Sequence, residues 1–197
     1  MEMNEVATIG YTIGMLGFAA LSLLFLGRWK AGPFSLFLAW ACGASAIWAC
    51  VLTLQSIGYL SFGIAVAMAE WLRGAVWIAA LFMLLRTLDN ERLAEEFARR
   101  YGLPFAAVSL ALLALYSNTR FESLGISLIV SGGIVIALVL ISLVEQIFRN
   151  LPSDSTSRLK YVCVTLFVVN AYDIVLYLVA IGRGDVVPEA WTARGYI

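Results

Sequence analysis

Long apolar runs, broken by short polar stretches, dominate this chain of 197 residues. A bilayer core about 30 Å thick takes about 20 helical residues. Six runs reach or approach that length: 7–27, 33–55, 59–85, 103–117, 124–148 and 159–181. The fourth is short, and spans only if it starts near Phe97 with Arg99 and Arg100 snorkelling to the headgroups. Lipid offers the backbone no hydrogen-bond partner, so such runs must be helices. The pattern predicts an all-α polytopic bundle of about six transmembrane helices forming a single membrane domain over 1–197. After the third run, Leu93, Phe97 and Tyr101 recur every four residues, with Glu95/Arg99 and Glu96/Arg100 as i,i+4 pairs. That predicts an interfacial helix over about 88–101. Pro152, Asp154, Ser153, Ser155 and Ser157 make the stretch after the fifth run turn chemistry.

Loop charges orient the bundle. Arg28, Lys30, Arg86, Arg92, Arg99, Arg100, Arg149, Arg158 and Lys160 fall on one side, against Arg120, Arg183 and Arg194 on the other. The positive-inside rule then places the N-terminus, and with six spans the C-terminus, outside the cytoplasm. The acidic start, Met1-Glu2-Met3-Asn4-Glu5, lacks the positive flank of a cleavable signal peptide, so the first run is expected to stay as an anchor.

Composition narrows the function. The chain is 62% hydrophobic and 13% charged, where soluble domains run at about 45–50% and about 25%. That profile excludes a soluble enzyme, a disordered tail and a nucleic-acid binder. Membrane lipids are the expected surroundings. With no histidine there is no bis-imidazole haem, no His-bearing zinc centre, no Ser-His-Asp triad and no phosphoacceptor histidine. Cys42, Cys50 and Cys163 lie in apolar runs without CxxC spacing and read as small hydrophobes. There is no phosphate-binding Gly-rich loop and no GxSxG elbow. Lys30 and Lys160 sit at span edges, which sets aside a retinal Schiff base. Arg183-Gly184-Asp185 spells an adhesion tripeptide by chance. No cofactor and no metal site is expected.

Ionisable groups within the apolar runs are the candidates for function, because they are costly in lipid and face a partner or a cavity. Glu70 and Arg73 are i,i+3 neighbours on the third run, with Trp77 one turn on. Asn170, Tyr172 and Asp173 lie on the sixth. Arg73 is as far from Arg86 as Asp173 is from Lys160, so both sit roughly 20 Å from the inner flank. Two readings follow: an Arg73–Asp173 pair between helices, with Glu70 and Tyr172 as further partners, or Glu70 and Arg73 satisfying each other while Asp173 bonds a hydroxyl or water. At the inner face, Glu145, Gln146 and Arg149 either anchor the fifth helix at the headgroups or couple it to a neighbour. Gly10/Gly14 and Ser131-Gly132-Gly133 permit close helix approach. Trp29, Tyr59, Tyr116 and Trp191 near span ends form an aromatic belt.

Five segments in order carry a resemblance: Ala69-Glu70-Trp71-Leu72-Arg73 with Trp77, Val144-Glu145-Gln146-Ile147-Phe148-Arg149-Asn150, Leu159-Lys160-Tyr161-Val162-Cys163, Ala171-Tyr172-Asp173 with Tyr177, and Trp191-Thr192-Ala193-Arg194-Gly195. From about the second run to the C-terminus the chain resembles the N-terminal membrane region of PrsK-type sensor histidine kinases. These kinases accompany the PEP-CTERM/exosortase sorting system of exopolysaccharide-producing Gram-negative bacteria. The resemblance implies a sensory input module in the bacterial inner membrane and a homodimer. It further implies a fragment, since cytoplasmic kinase domains would follow after an odd number of further spans. The present chain would itself catalyse nothing. The alternatives are a small transporter or channel using Glu70, Arg73 and Asp173, against which no inverted repeat is visible, and a membrane enzyme acting on lipid-linked substrates, against which the carboxylates are scattered.

Overall fold

A computed structural model describes residues 3–27, 33–59, 64–87, 122–150, 156–183 and 194. Among these residues the chain is all-helical: α1 (Met3–Gly27), α2 (Pro33–Ser56), α3 (Ile64–Thr87), α4 (Glu122–Asn150) and α5 (Thr156–Arg183). All five are long and apolar enough to cross a membrane. The expected fourth span (103–117) and interfacial helix (88–101) lie outside the described residues.

Helix ends follow local chemistry. α1 begins at Met3, ahead of the apolar run, with Glu5 in its first turn facing the positive end of the helix dipole. α2 opens on Pro33, whose fixed φ and missing N–H suit the first helical position. It closes at Gly58 in the left-handed region, φ 80°. The Gly58 amide donates to the Gln55 carbonyl (3.0 Å) and the Tyr59 amide to the Leu54 carbonyl (2.9 Å), which is the Schellman arrangement. This closure corrects the expectation of a third span from Tyr59: the tyrosine belongs to the turn, is 81% exposed, and α3 starts only at Ile64. α4 and α5 run two to three residues past the apolar runs at both ends, into the charged flanks, because intrahelical hydrogen bonds persist through the headgroup layer. Arg86, Arg149 and Arg183 occupy the last turns of α3, α4 and α5, where a cation complements the dipole.

The chain divides into two compact units, Met1–Ala80 with Val187–Ile197, and Leu81–Val186. In the first, α1 and α2 form an antiparallel hairpin. Positions that rise along α2 meet positions that fall along α1: Ser35 Oγ donates to the Phe25 carbonyl (3.1 Å), Ser22 Oγ to the Ala39 carbonyl (2.9 Å), and Thr8 and Ser56 share a 2.7 Å hydroxyl bond. The Phe25 carbonyl is one of the terminal acceptors that α1 cannot satisfy internally. Small residues on α2 bring the backbones close, and a Cβ on Gly43 would lie 3.3 Å from Ser22 Oγ. Of the Gly10/Gly14 pair that would permit close approach, Gly14 is not used in this way among the described residues: a Cβ there would meet nothing within 4 Å. Ala7, Tyr11, Trp48, Ala49, Leu52, Val66 and Ala69 form this unit's core, drawn from α1, α2 and α3.

In the second unit α4 packs on α5. Five residues join them, and that span cannot return a chain along helices about 40 Å long, so the two are antiparallel. α4 buries Ile136, Ala137, Leu140, Leu143, Val144 and Ile147, an i, i+3, i+4 stripe. α5 buries Cys163, Asn170, Asp173, Leu176, Tyr177 and Ala180, while Val164, Phe167, Val168, Val175 and Leu178 are exposed. Exposed faces this apolar suit a membrane-embedded helix pair.

Candidate functional site

α3 carries Glu70 roughly 9 Å and Arg73 roughly 14 Å from its start. Glu70 is 8% exposed, so its carboxylate needs charged or donating partners. It has two. Arg73 Nη2 reaches Oε2 at 3.4 Å. Arg194, buried and from far along the chain, donates Nη1 to Oε1 and Nη2 to Oε2, the latter at 3.3 Å. The Arg194 contact is two-pronged and the Arg73 contact long and single, so Arg194 is the principal partner.

Trp48 of α2 forms the aromatic side of the same cluster. The Arg73 guanidinium carbon lies 4.2 Å from its ring centroid and that of Arg194 5.4 Å, within cation–π range for both. Tyr11 of α1 meets the ring edge-on, with centroids 6.0 Å apart and planes at 89°. Trp48 Nε1 is buried and makes no hydrogen bond among the described residues. One turn further along α3, Trp77 Nε1 donates to Ser45 Oγ (2.9 Å), and Ser45 Oγ donates in turn to the Ala41 carbonyl (2.9 Å). Residues 45 and 48 of α2 thus face 77 and 73 of α3, which makes this pair antiparallel as well.

Of the residues expected to matter, Glu70, Arg73 and Trp77 share one stretch of α3. The within-helix reading of Glu70 and Arg73 describes a real contact, yet a partial one, because it lacks Arg194. Arg73 belongs to the first unit and Asp173 to the second; within its own unit Arg73 meets Glu70 and Trp48. On α5, Asn170 and Asp173 are buried and Tyr172 half-buried. Asn170 Nδ2 donates back to the Leu166 carbonyl (2.7 Å). Glu145 and Arg149 form their i,i+4 pair at 2.6 Å with side chains 52% and 70% exposed, the geometry of a weak surface anchor. Asn150 Nδ2 donates to the Gln146 carbonyl (2.7 Å).

Sequence reasoning missed Arg194, Trp48, Ser45 and Tyr11. Only Arg194 carried a signal, as the basic residue of the Trp191-to-Gly195 segment. An aromatic or a serine inside an apolar run looks like core. Among the described residues no group of three metal-ligating side chains is present. The arrangement can hold a carboxylate between two guanidiniums against an indole ring, and can exchange one anionic partner for another. No known protein family, curated protein or solved structure matches the chain.

Proposed function

We propose that this chain is a membrane-embedded sensory input module of the PrsK-type histidine-kinase kind, in a bacterial inner membrane with its N-terminus outside. One contact carries the reading: Arg194, beyond the last spanning helix, is held by Glu70 inside the first three helices. Through it, whatever repacks α1, α2 and α3 acts on the stretch of chain that follows the last span. A buried ion pair is weak evidence for stability and suits a register or switching role. The magnitudes agree with a switch. Breaking such a pair costs about 3–5 kcal/mol, and driving a two-state equilibrium from 1:99 to 99:1 takes about 5.5 kcal/mol of differential affinity. A stimulus that replaces the lost pairing therefore supplies most of that shift.

The test uses the natural gene product in inner-membrane vesicles, labelled with radioactive ATP and assayed for acid-labile phosphohistidine. The expected result is labelling that Glu70→Gln alters at least about five-fold, with the protein level unchanged. Absence of phosphohistidine overturns the reading, and solute uptake by proteoliposomes of the same protein would put a transporter in its place.

A further inference from the structure

Glu70 is one carboxylate touched by two cations of different origin. Arg73 comes from the next turn of the same helix, and Arg194 from 124 positions along the chain. Glu70 Oε1 meets Arg194 alone, whereas Oε2 takes Nη2 of both arginines, Arg194 at 3.3 Å and Arg73 at 3.4 Å. The two guanidinium nitrogens therefore lie no farther apart than those distances laid end to end, and their charges oppose each other. Both guanidiniums also face the Trp48 ring, the Arg73 carbon at 4.2 Å from its centroid and the Arg194 carbon at 5.4 Å. Each arginine has contacts beyond these, so the group that would be stranded by a separation is the carboxylate.

Stranding it is costly. Glu70 is buried in the part of α3 that is apolar enough to cross a membrane, and a buried charge that loses its partner is strongly destabilising. Arg73 removes that obstacle. As an i,i+3 neighbour it stays within reach as long as the helix does. Its 3.4 Å contact is longer than the roughly 2.7–2.9 Å of a full charge-assisted bond, so a small rotation of the side chain completes the pair once Arg194 has gone. The remote contact closes a long loop of chain, at an entropic cost that the local contact does not carry.

We infer that Arg73 is the residue that makes the Glu70–Arg194 contact reversible. It competes for Oε2 while Arg194 is bound and neutralises Glu70 when Arg194 leaves, with Trp48 as the aromatic face common to both guanidiniums. The carboxylate thus has two arrangements, one shared and one on Arg73 alone, and is bare in neither. As the switching step of the module proposed above, this rests on that reading; as a property of the contact it does not.

The experiment uses the chain purified in a maltoside detergent and treated with p-hydroxyphenylglyoxal, which modifies accessible guanidiniums. Peptide mass spectrometry follows the initial rate at Arg194, with Arg183 at the exposed end of α5 as the internal reference. In the parent, Arg194 is expected to react more slowly than Arg183. Glu70→Gln is expected to speed Arg194 about ten-fold, the worth of one charge-assisted hydrogen bond. Arg73→Met keeps an apolar stem against Trp48 and removes the competing cation. It is expected to slow Arg194 at least about three-fold, within the range by which contacting groups couple, with helicity by circular dichroism unchanged. Arg73→Lys restores a cation and is expected to return the rate toward the parent's. A merely structural Arg73 would give the opposite sign, since a loosened fold exposes Arg194. Should Arg73→Met lose helicity, Arg73→Gln takes its place. Unchanged or faster modification of Arg194 in the folded variant overturns the inference, as does an Arg194 that reacts as fast as Arg183 in the parent. Modification is read without ATP, so this device and the sensory reading fail separately.

Discussion

Arg194 and Glu70 lie 124 positions apart in the chain and meet fork to fork, each guanidinium nitrogen on its own carboxylate oxygen. Both are buried. The pair ties Arg194 to α3 through a contact whose burial leaves little water to weaken it. Arg73 touches the same carboxylate from one turn along the helix, so Glu70 is shared and its loss affects two cations.

That sharing sets an order of effects. Arg194→Ala is expected to cost about 3–5 kcal/mol, the range for removing one partner of a buried pair. Glu70→Ala is expected to cost more, since it removes the carboxylate that both arginines touch. The double variant Glu70→Leu/Arg194→Met is expected to recover much of the loss. A double-mutant cycle on denaturant unfolding in one detergent measures it. Singles that simply add would show that the pair is idle.

The helices were legible because their signal is length. An apolar run of about 20 residues has few other structures open to it, and Pro33 marks the start of α2 by its own geometry. The start of α3 was not legible: hydropathy continues across 59–63, while the stop is made by the backbone at Gly58, which composition does not see. Glu70 and Arg73 stood out as charges in an apolar run. Their partner did not, because counting loop charges files Arg194 with residues outside the membrane, and nothing local links positions 70 and 194. Trp48 and Ser45 were invisible for a different reason. Periodicity tells which face of α2 is buried but not which atom of α3 it meets, and an indole under a guanidinium has the same hydropathy as one in a plain core. Glu145 and Arg149 show the converse, a legible pair whose exposure makes it energetically slight.

The Ser45–Trp77 bond ties α2 to α3 between apolar surfaces. Interhelical hydrogen bonds of this kind contribute about 0.6 kcal/mol on average and up to about 1.7. Ser45 is 1% exposed, which favours the upper part of that range. Ser45→Ala is expected to lower stability by about 1 kcal/mol in the parent and by much less in a Trp77→Phe background, where no indole donor is left unmet. Thermal unfolding of the four proteins tests this. An equal loss in both backgrounds would mean that Ser45 acts through packing alone.

Gly58 tests the helix stop in isolation, since a Cβ there meets no atom within 4 Å. With φ at 80°, any cost of a side chain is conformational. Gly58→Ala is expected to lose about 1–2 kcal/mol, and Gly58→Asn less, because asparagine tolerates the left-handed region. Equal unfolding midpoints for Gly58→Ala and the parent would show that the turn has another conformation available.

Gly133 tests packing in the second unit. A Cβ built there would lie 2.6 Å from Tyr177 Cζ and 2.7 Å from Cε2, with the hydroxyl oxygen at 3.0 Å. Tyr177 is 4% exposed, so its ring has little room to swing aside. The glycine is what lets the ring lie against α4. Gly133→Ala is expected to cost about 1–3 kcal/mol, the range for overpacking a filled interior. The nearest atoms belong to the ring, so Tyr177→Phe is not expected to rescue it. Tyr177→Leu shortens the side chain and is expected to recover part of the loss in the Gly133→Ala background, although it is destabilising alone. That reversal of sign, read as unfolding midpoints of the double variant against each single, separates a steric contact from the loss of a tyrosine hydrogen bond. If Tyr177→Phe restores stability as well as Tyr177→Leu does, the hydroxyl rather than the ring is what Gly133 accommodates.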